Sequence, residues 1–236
     1  MIVIIAGMQR SGSTFSFNVA RELLATRGRV RTVSNNNLGQ IELPGVGCHL
    51  IIKSHQPDAA MRALIAEGQA RCICTLRKPE DAVASWMRVF KFDLDSSIDA
   101  IKSWLAWHRE LSSCTLNISY EDIDNRPLHA VRRICHFVCK DATAPDIFRI
   151  WWKYRKTAVK RRSEELASTD DNVTHLPFSY YDNETFFHRH HVSSLASQPA
   201  TATLTAEDVA TIRDRLADYL DERGNYQMTA AGSCGS

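Results

Sequence analysis

An apolar run, Met1-Ile2-Val3-Ile4-Ile5-Ala6, leads directly into a loop bounded by Gly7 and Gly12 and followed by Ser13, Thr14 and Phe15. A hydrophobic strand that turns through glycines into a helix start restricts the fold more than any other feature of the chain. It calls for a parallel strand buried on both faces, with the helix folded back over it. The step from Gly7 to Thr14 has the length of a phosphate cradle, G-x-x-x-x-G-K-[ST], whose backbone N–H groups hold phosphate oxygens while its lysine reaches the terminal phosphates and its hydroxyl binds magnesium. Here Ser13 stands at the lysine position, and the only cation in the loop is Arg10. A guanidinium fork there grips a nearer phosphate, which points to a nucleotide held by its sugar-side phosphate and away from metal-assisted cleavage of a triphosphate.

The alternation continues along the chain. Apolar runs bounded by turn residues predict strands at 2–6, 29–33, 49–53, 71–76 and 114–119, with helical periodicity at 14–27, 58–67, 79–90, 97–111 and 127–140. Pro79 and Pro127 suit the first turn of their helices. Strand and helix in turn imply an α/β fold, a doubly wound parallel sheet flanked by helices. Beyond Pro145 the pattern predicts one long basic and aromatic helix over 146–166. An irregular polar lid segment follows over 167–203, and then a helix opened by Thr205 with Asp208 in capping-box spacing. The expected organisation is a single domain over 1–228 with a frayed tail at 229–236, because 236 residues with 44% hydrophobic content fill one core.

Composition removes several function classes. A net charge of +2 is too mild for bulk nucleic-acid binding, and no apolar run approaches the roughly 20 residues of a membrane span. Without a basic leader before the first apolar run, the chain reads as cytoplasmic. The seven cysteines are odd in number and sit mostly in apolar patterns, so buried reduced thiols are expected, and Cys72-x-Cys74 lacks further ligands nearby for a metal.

In an open α/β sheet a ligand lies beyond the carboxyl ends of the strands, and four polar segments stand at such ends: the glycine loop, Lys53-Ser54-His55, Arg77-Lys78-Pro79 and Tyr120-Glu121-Asp122. Arg77 ahead of a proline-started helix, with Ser85 further along it, makes a second anion site, or else Arg77 pairs with Glu80 or Asp81 at the surface. His55 is either a general base titrating near neutrality or a histidine satisfied by backbone. Tyr120 suits an adenine neighbour and a core-capping phenol equally, and Phe15 offers a stacking face or the first core residue of its helix. Asn35-Asn36-Asn37 reads as an acceptor-side loop or as plain turn chemistry. His108, His129 and His136 belong to packed helix faces.

These segments resemble, in order, the signature of the sulfotransferases that use 3′-phosphoadenosine 5′-phosphosulfate (PAPS). Arg10-Ser11-Gly12-Ser13-Thr14-Phe15 is similar to the family's 5′-phosphosulfate loop. Residues 77–85, with the eight-residue step from Arg77 to Ser85, resemble its 3′-phosphate segment. Ile52-Lys53-Ser54-His55 resembles the catalytic Lys-Thr-His segment, and Ser119-Tyr120-Glu121-Asp122 the tyrosine beside the adenine. The resemblance covers about the first 140 residues and implies transfer of a sulfuryl group from PAPS, without a metal, to a hydroxyl of a small-molecule, lipid or carbohydrate acceptor. His55 would be the base, Lys53 and Arg10 catalytic cations, and Arg10, Ser11, Gly12, Ser13, Thr14, Phe15, Arg77, Ser85 and Tyr120 would hold the donor. The family's late Arg-Lys-Gly loop, which closes on the 3′-phosphate, has its counterpart in Phe187-His188-Arg189-His190-His191. That segment lacks the Lys-Gly pair, and the role would fall to Arg189 and His190. The alternatives are a P-loop small-molecule kinase, which would want a lysine at position 13 and an acidic magnesium ligand, and a nucleotide-binding module without turnover.

Overall fold

The computed structural model describes residues 1–176, 179–189, 203–222 and 224–227. Among these, five parallel strands form one sheet: β1 (Ile2–Ile5), β2 (Arg29–Ser34), β3 (Cys48–Lys53), β4 (Ala70–Leu76) and β5 (Thr115–Ser119), in the order β2-β3-β1-β4-β5. β1 is central because its residues are apolar on both faces; Val3, Ile4 and Ile5 have no exposed surface. Register follows from it, with Ile5 opposite Lys53 on one side and Ile73 on the other. The chain runs from β1 outward to β2, returns to β3 and then crosses to β4, so the sheet's switch point lies at the carboxyl end of β1.

Each face carries its own apolar layer. On one, α1 (Ser13–Leu24), α6 (Pro127–Val138) and α7 (Ala144–Tyr154) cover Val3, Ile5, Ile51, Ile73 and Ile118. On the other, α2 (Ala59–Ala66), α3 (Pro79–Phe90), α4 (Leu94–Leu111) and α9 (Ala206–Arg215) cover Ile4, Leu50, Ile52, Cys72 and Cys74. Trp104, fully buried on α4, donates its indole N–H to the Ala6 carbonyl at 3.1 Å and so satisfies a polar group where β1 gives way to the loop. Thr205 and Asp208 form the expected capping box of α9. The doubly wound sheet is thus as the sequence pattern predicts.

Three local expectations are corrected and one is refined. The helix expected over 146–166 is two, α7 and α8 (Lys156–Glu165), because Arg155 adopts an extended conformation with ψ of 148°. Tyr120 follows the end of β5 as expected, but the polar segment it opens is a short helix, α5 (Tyr120–Asn125), which Ser119 caps by accepting from the Asp122 N–H. The segment expected to be irregular contains an antiparallel hairpin, β6 (Val173–Leu176) with β7 (Ser179–Asp182). Cys114 is disulfide-bonded, whereas Cys48, Cys72, Cys74, Cys135 and Cys139 are free thiols as expected. The expected tail at 229–236 lies outside the described residues.

The hairpin is clamped to α1. Asn18 donates to the Thr185 carbonyl at 2.7 Å, and Arg21 donates to the Glu184 carbonyl at 2.8 Å while pairing with the Glu184 carboxylate at 2.7 Å. Phe17 meets Phe186 edge to face with ring centroids 4.8 Å apart. Glu22, one residue after Arg21, accepts from Lys153 at 2.6 Å and from the Tyr154 hydroxyl at 2.9 Å, which ties the same helix to α7.

The glycines of the loop are set by close packing. A Cβ on Gly7 would meet Thr75 Oγ1 at 2.1 Å and Ser13 Cβ at 2.6 Å, whereas one on Gly45 would meet nothing within 4 Å. Gly7→Ala is therefore expected to destabilise the protein by about 1–3 kcal/mol, lowering the melting temperature by roughly 2–4 °C per kcal/mol. Gly45→Ala should leave it unchanged, and equal melting curves for the two variants would refute the packing argument.

Candidate anion-binding site at the sheet rim

The carboxyl ends of β1, β3, β4 and β5 bring the four polar segments to one place. Gly12 sits at the amino end of α1 with φ of 91°, a left-handed conformation that glycine adopts at little cost, and no side chain caps this helix. Its first amides are therefore open to an anion. Ser11 turns inward instead, its hydroxyl bonding to the Met8 and Thr75 carbonyls at 2.5 and 2.9 Å and so fastening the loop to β4. Phe15 packs against the apolar layer under α1, its reading as a core residue.

Arg10 adopts φ of 64°, unusual for a residue with a side chain. That conformation carries its guanidinium across to α3, where Nε donates to Ser85 Oγ at 3.3 Å, while its carbonyl accepts from Arg77 Nη1 at 3.3 Å. Arg77 also lies over the Tyr120 ring, 4.3 Å from the centroid. Tyr120 in turn stands beside Gly12, whose added Cβ would be 3.6 Å from the ring. Burial, then Arg77 and Arg88, hold the Arg10 pKa below its ordinary value. Among the described residues, Arg10, Lys53, Arg77 and Arg88 form no ion pair with any carboxylate. The buried Arg77 Nε has no hydrogen-bond acceptor. A donor left unpaired in this way costs stability unless a ligand supplies the acceptor.

Lys53 extends from the end of β3 toward α1 and donates to Thr14 Oγ1 at 2.9 Å. Its ammonium lies over the ring of Phe186 from the clamped hairpin, 5.1 Å from the ring centroid. Burial first and Arg10 second press the Lys53 pKa down to about 8. His55, two residues on, meets the Gly7 carbonyl through Nδ1 at 2.7 Å. The carbonyl can only accept, so Nδ1 carries the proton and Nε2 keeps its lone pair. Burial and then Lys53 press this imidazole down to about 4, Arg10 adding to them, while the bond to Gly7 pulls the other way. Asn36 positions the segment by accepting from Ser54 Oγ at 2.8 Å and from the His55 N–H at 3.2 Å, so the loop expected near an acceptor supplies turn chemistry. Among the described residues no cluster of three His, Cys, Asp or Glu side chains could hold a metal, and no helix is long and apolar enough to cross a membrane.

This architecture can be set beside known proteins. No family model matches the sequence, and no curated protein sequence matches it. Among solved structures, mouse sulfotransferase SULT7A1 complexed with PAP matches with a TM-score of 0.59 at 10% identity, over 95% of this chain and 86% of that one. The chain has the sulfotransferase fold. Retinol dehydratase, in complex with androsterone and the inactive cofactor PAP, matches with a TM-score of 0.58 at 14% identity over 92% and 80% of the two chains. The same enzyme in a complex with retinol and PAP matches at 0.54.

Within this sulfotransferase fold the rim gathers Arg10, Ser13, Thr14, Lys53, His55, Arg77, Ser85 and Tyr120. The Arg189 guanidinium donates to the Tyr180 hydroxyl at 3.4 Å. His190 falls outside the described residues. Sequence reasoning missed Arg88, although its place one turn beyond Ser85 puts the two on the same helix face. It also missed Phe186 and His188, which no local pattern marks.

An anion held by Lys53 needs the protonated amine, and the depressed pKa places the loss of that charge within reach. Affinity for sulfate, whose own charge is constant over the range, should be flat up to pH 7, fall as pH rises through about 8, and approach a tenfold loss per pH unit above it. Lys53→Met should abolish this dependence in calorimetric titrations; the same alkaline decline in the variant would assign it to another group.

Proposed function

We propose that this protein is a PAPS-dependent sulfotransferase acting on a hydroxyl-bearing acceptor. The observation that carries the reading is the group of four cations at the carboxyl rim of the sheet, with no carboxylate paired to them among the described residues and with the Arg77 Nε unpaired. That constellation fits a ligand with several negative charges. The fold supports the identity of the ligand, since the solved structures it matches hold PAP.

On this reading the open first turn of α1, with Ser13 and Thr14, holds the 5′-phosphosulfate. Lys53, already bonded to Thr14, reaches the same group and neutralises charge that develops on the departing phosphate oxygen. Arg77 and Ser85 take the 3′-phosphate, with Arg10 bonded to Ser85 at the edge of both subsites. Tyr120, lying under Arg77, is the adenine neighbour. Oxygen of the acceptor bonds to sulfur as the bond from sulfur to the phosphate oxygen breaks, and the hydroxyl proton passes to the free Nε2 of His55. The products are a sulfate ester and 3′-phosphoadenosine 5′-phosphate. Because His55 is neutral in the free protein, it is a proton acceptor from the outset.

Three measurements test this. Arg77→Ala should weaken 3′-phosphoadenosine 5′-phosphate tenfold or more, the cost of roughly 1–3 kcal/mol for a lost charged hydrogen bond, and leave AMP nearly unaffected; equal loss for both would defeat the 3′-phosphate role. His55→Ala should keep nucleotide affinity and lose transfer from PAPS to a pool of hydroxyl compounds scored by mass spectrometry. A wild-type protein that binds the bisphosphate yet shows no His55-dependent transfer is a binding module. For the active enzyme, kcat/KM should hold as pH falls through 6 and decline only toward the His55 value of about 4, since this ratio reports the free enzyme.

A further inference from the structure

The described part of the late loop, Phe186 to Arg189, does not approach Arg77 in the way the resemblance to the Arg-Lys-Gly segment suggests. It is fastened to α1 and set beside Lys53. Asn18 and Arg21 hold the carbonyls of Thr185 and Glu184 against α1. Phe187 returns its carbonyl to the Asp182 N–H at 3.0 Å, and His188 forms an antiparallel bridge with Tyr181. Phe186, in a left-handed conformation with φ of 55°, turns its ring against Phe17 and beneath the Lys53 ammonium. The left-handed turn at Phe186 reverses the chain, so the half-buried His188 imidazole returns 5.5 Å from the Tyr181 ring, which itself lies 5.7 Å from the Phe186 ring beside Lys53. There it feels both Lys53 and Arg10.

We infer that His188 is a binding residue for the 5′-side anion of the donor, contributed by the clamped hairpin and completing the subsite that Lys53, Thr14 and the amino end of α1 begin. The inference rests on the nucleotide site proposed above but assigns a different residue, and a different end of the nucleotide, from the Arg189 and His190 suggested by the family's late loop. Its electrostatic setting agrees. Burial, then Lys53, then Arg10, press the His188 pKa down to about 4, so two cations face this ring and an anion placed between them would reverse their effect on it. The other charged group on the neighbouring elements, Arg189, donates to Tyr180 instead.

The test compares His188→Ala and His188→Gln with wild type by calorimetry, using 3′-phosphoadenosine 5′-phosphate and adenosine 3′-phosphate as the two probes. His188→Ala should weaken the bisphosphate about tenfold, the effect of losing one hydrogen bond to a charged group, and leave adenosine 3′-phosphate unchanged. His188→Gln, which keeps an N–H donor, should recover much of the loss, and it carries the comparison if the alanine variant melts at a lower temperature. Equal weakening of both probes would mean that His188 only braces the hairpin, and no change in either would mean that it faces no ligand; both results overturn the assignment. Failure of the proposed function reads differently, because then the wild-type protein itself binds neither probe.

Discussion

Mutual repulsion among Arg10, Lys53, Arg77 and Arg88 is the condition that the rim must withstand. Burial lowers the pKa of Arg10 and Lys53 most, and like-charged neighbours lower each further. Among the described residues, no carboxylate pairs with them. They are held by neutral partners: Ser85 for Arg10, the Arg10 carbonyl and the Tyr120 ring for Arg77, and Thr14 and the Phe186 ring for Lys53. The rigidity comes from the two apolar layers beneath, which fix the strand ends from which these side chains project. A site built in this way is less stable empty than filled with anion, and that difference is available as binding energy.

Burial first, and the same cations after it, set the state of the imidazoles. His55 and His188 both stand near Lys53 and Arg10, and both are pressed down to about 4. Neutral imidazole is the form that accepts a proton, so surrounding a base with cations keeps it ready at ordinary pH. His55 gains a fixed tautomer from the Gly7 carbonyl, the first residue of the glycine loop. The loop therefore orients this imidazole as well as leaving the helix end without a side-chain cap.

Clamping of the hairpin onto α1 joins distant parts of the chain. Asn18 bonds to Thr14 within its helix at 2.8 Å and to Thr185 in the hairpin at 2.7 Å, and Arg21 reaches both Glu184 and Tyr154. Through these contacts the helix that begins at the glycine loop also carries the segment that lies against Lys53. Movement of the hairpin would alter the surroundings of Lys53 directly, since Phe186 is the ring beneath its ammonium.

Much of this was written locally. Apolar runs separated by helical periods dictate a parallel sheet, because strands buried on both faces need helices on both sides. The glycine loop, the Arg77-to-Ser85 step and Lys53 with His55 are legible because each is a short motif at the end of such a strand. The sequence did not disclose that Arg10 crosses to Ser85, because its direction depends on a left-handed backbone that only packing against β4 imposes. Nor did it disclose the break at Arg155, where strong helix formers on either side conceal an extended residue. Arg88 and His188 could be placed only once α3 and the hairpin had been laid against the rim. Side-chain periodicity and motif spacing report contacts within a few residues of one another, so the chain by itself determined the layers and the cradle. Which cations meet at the rim, and which segment packs beside them, were decided by the tertiary structure, because those neighbours lie from 39 to more than 160 residues apart in the chain.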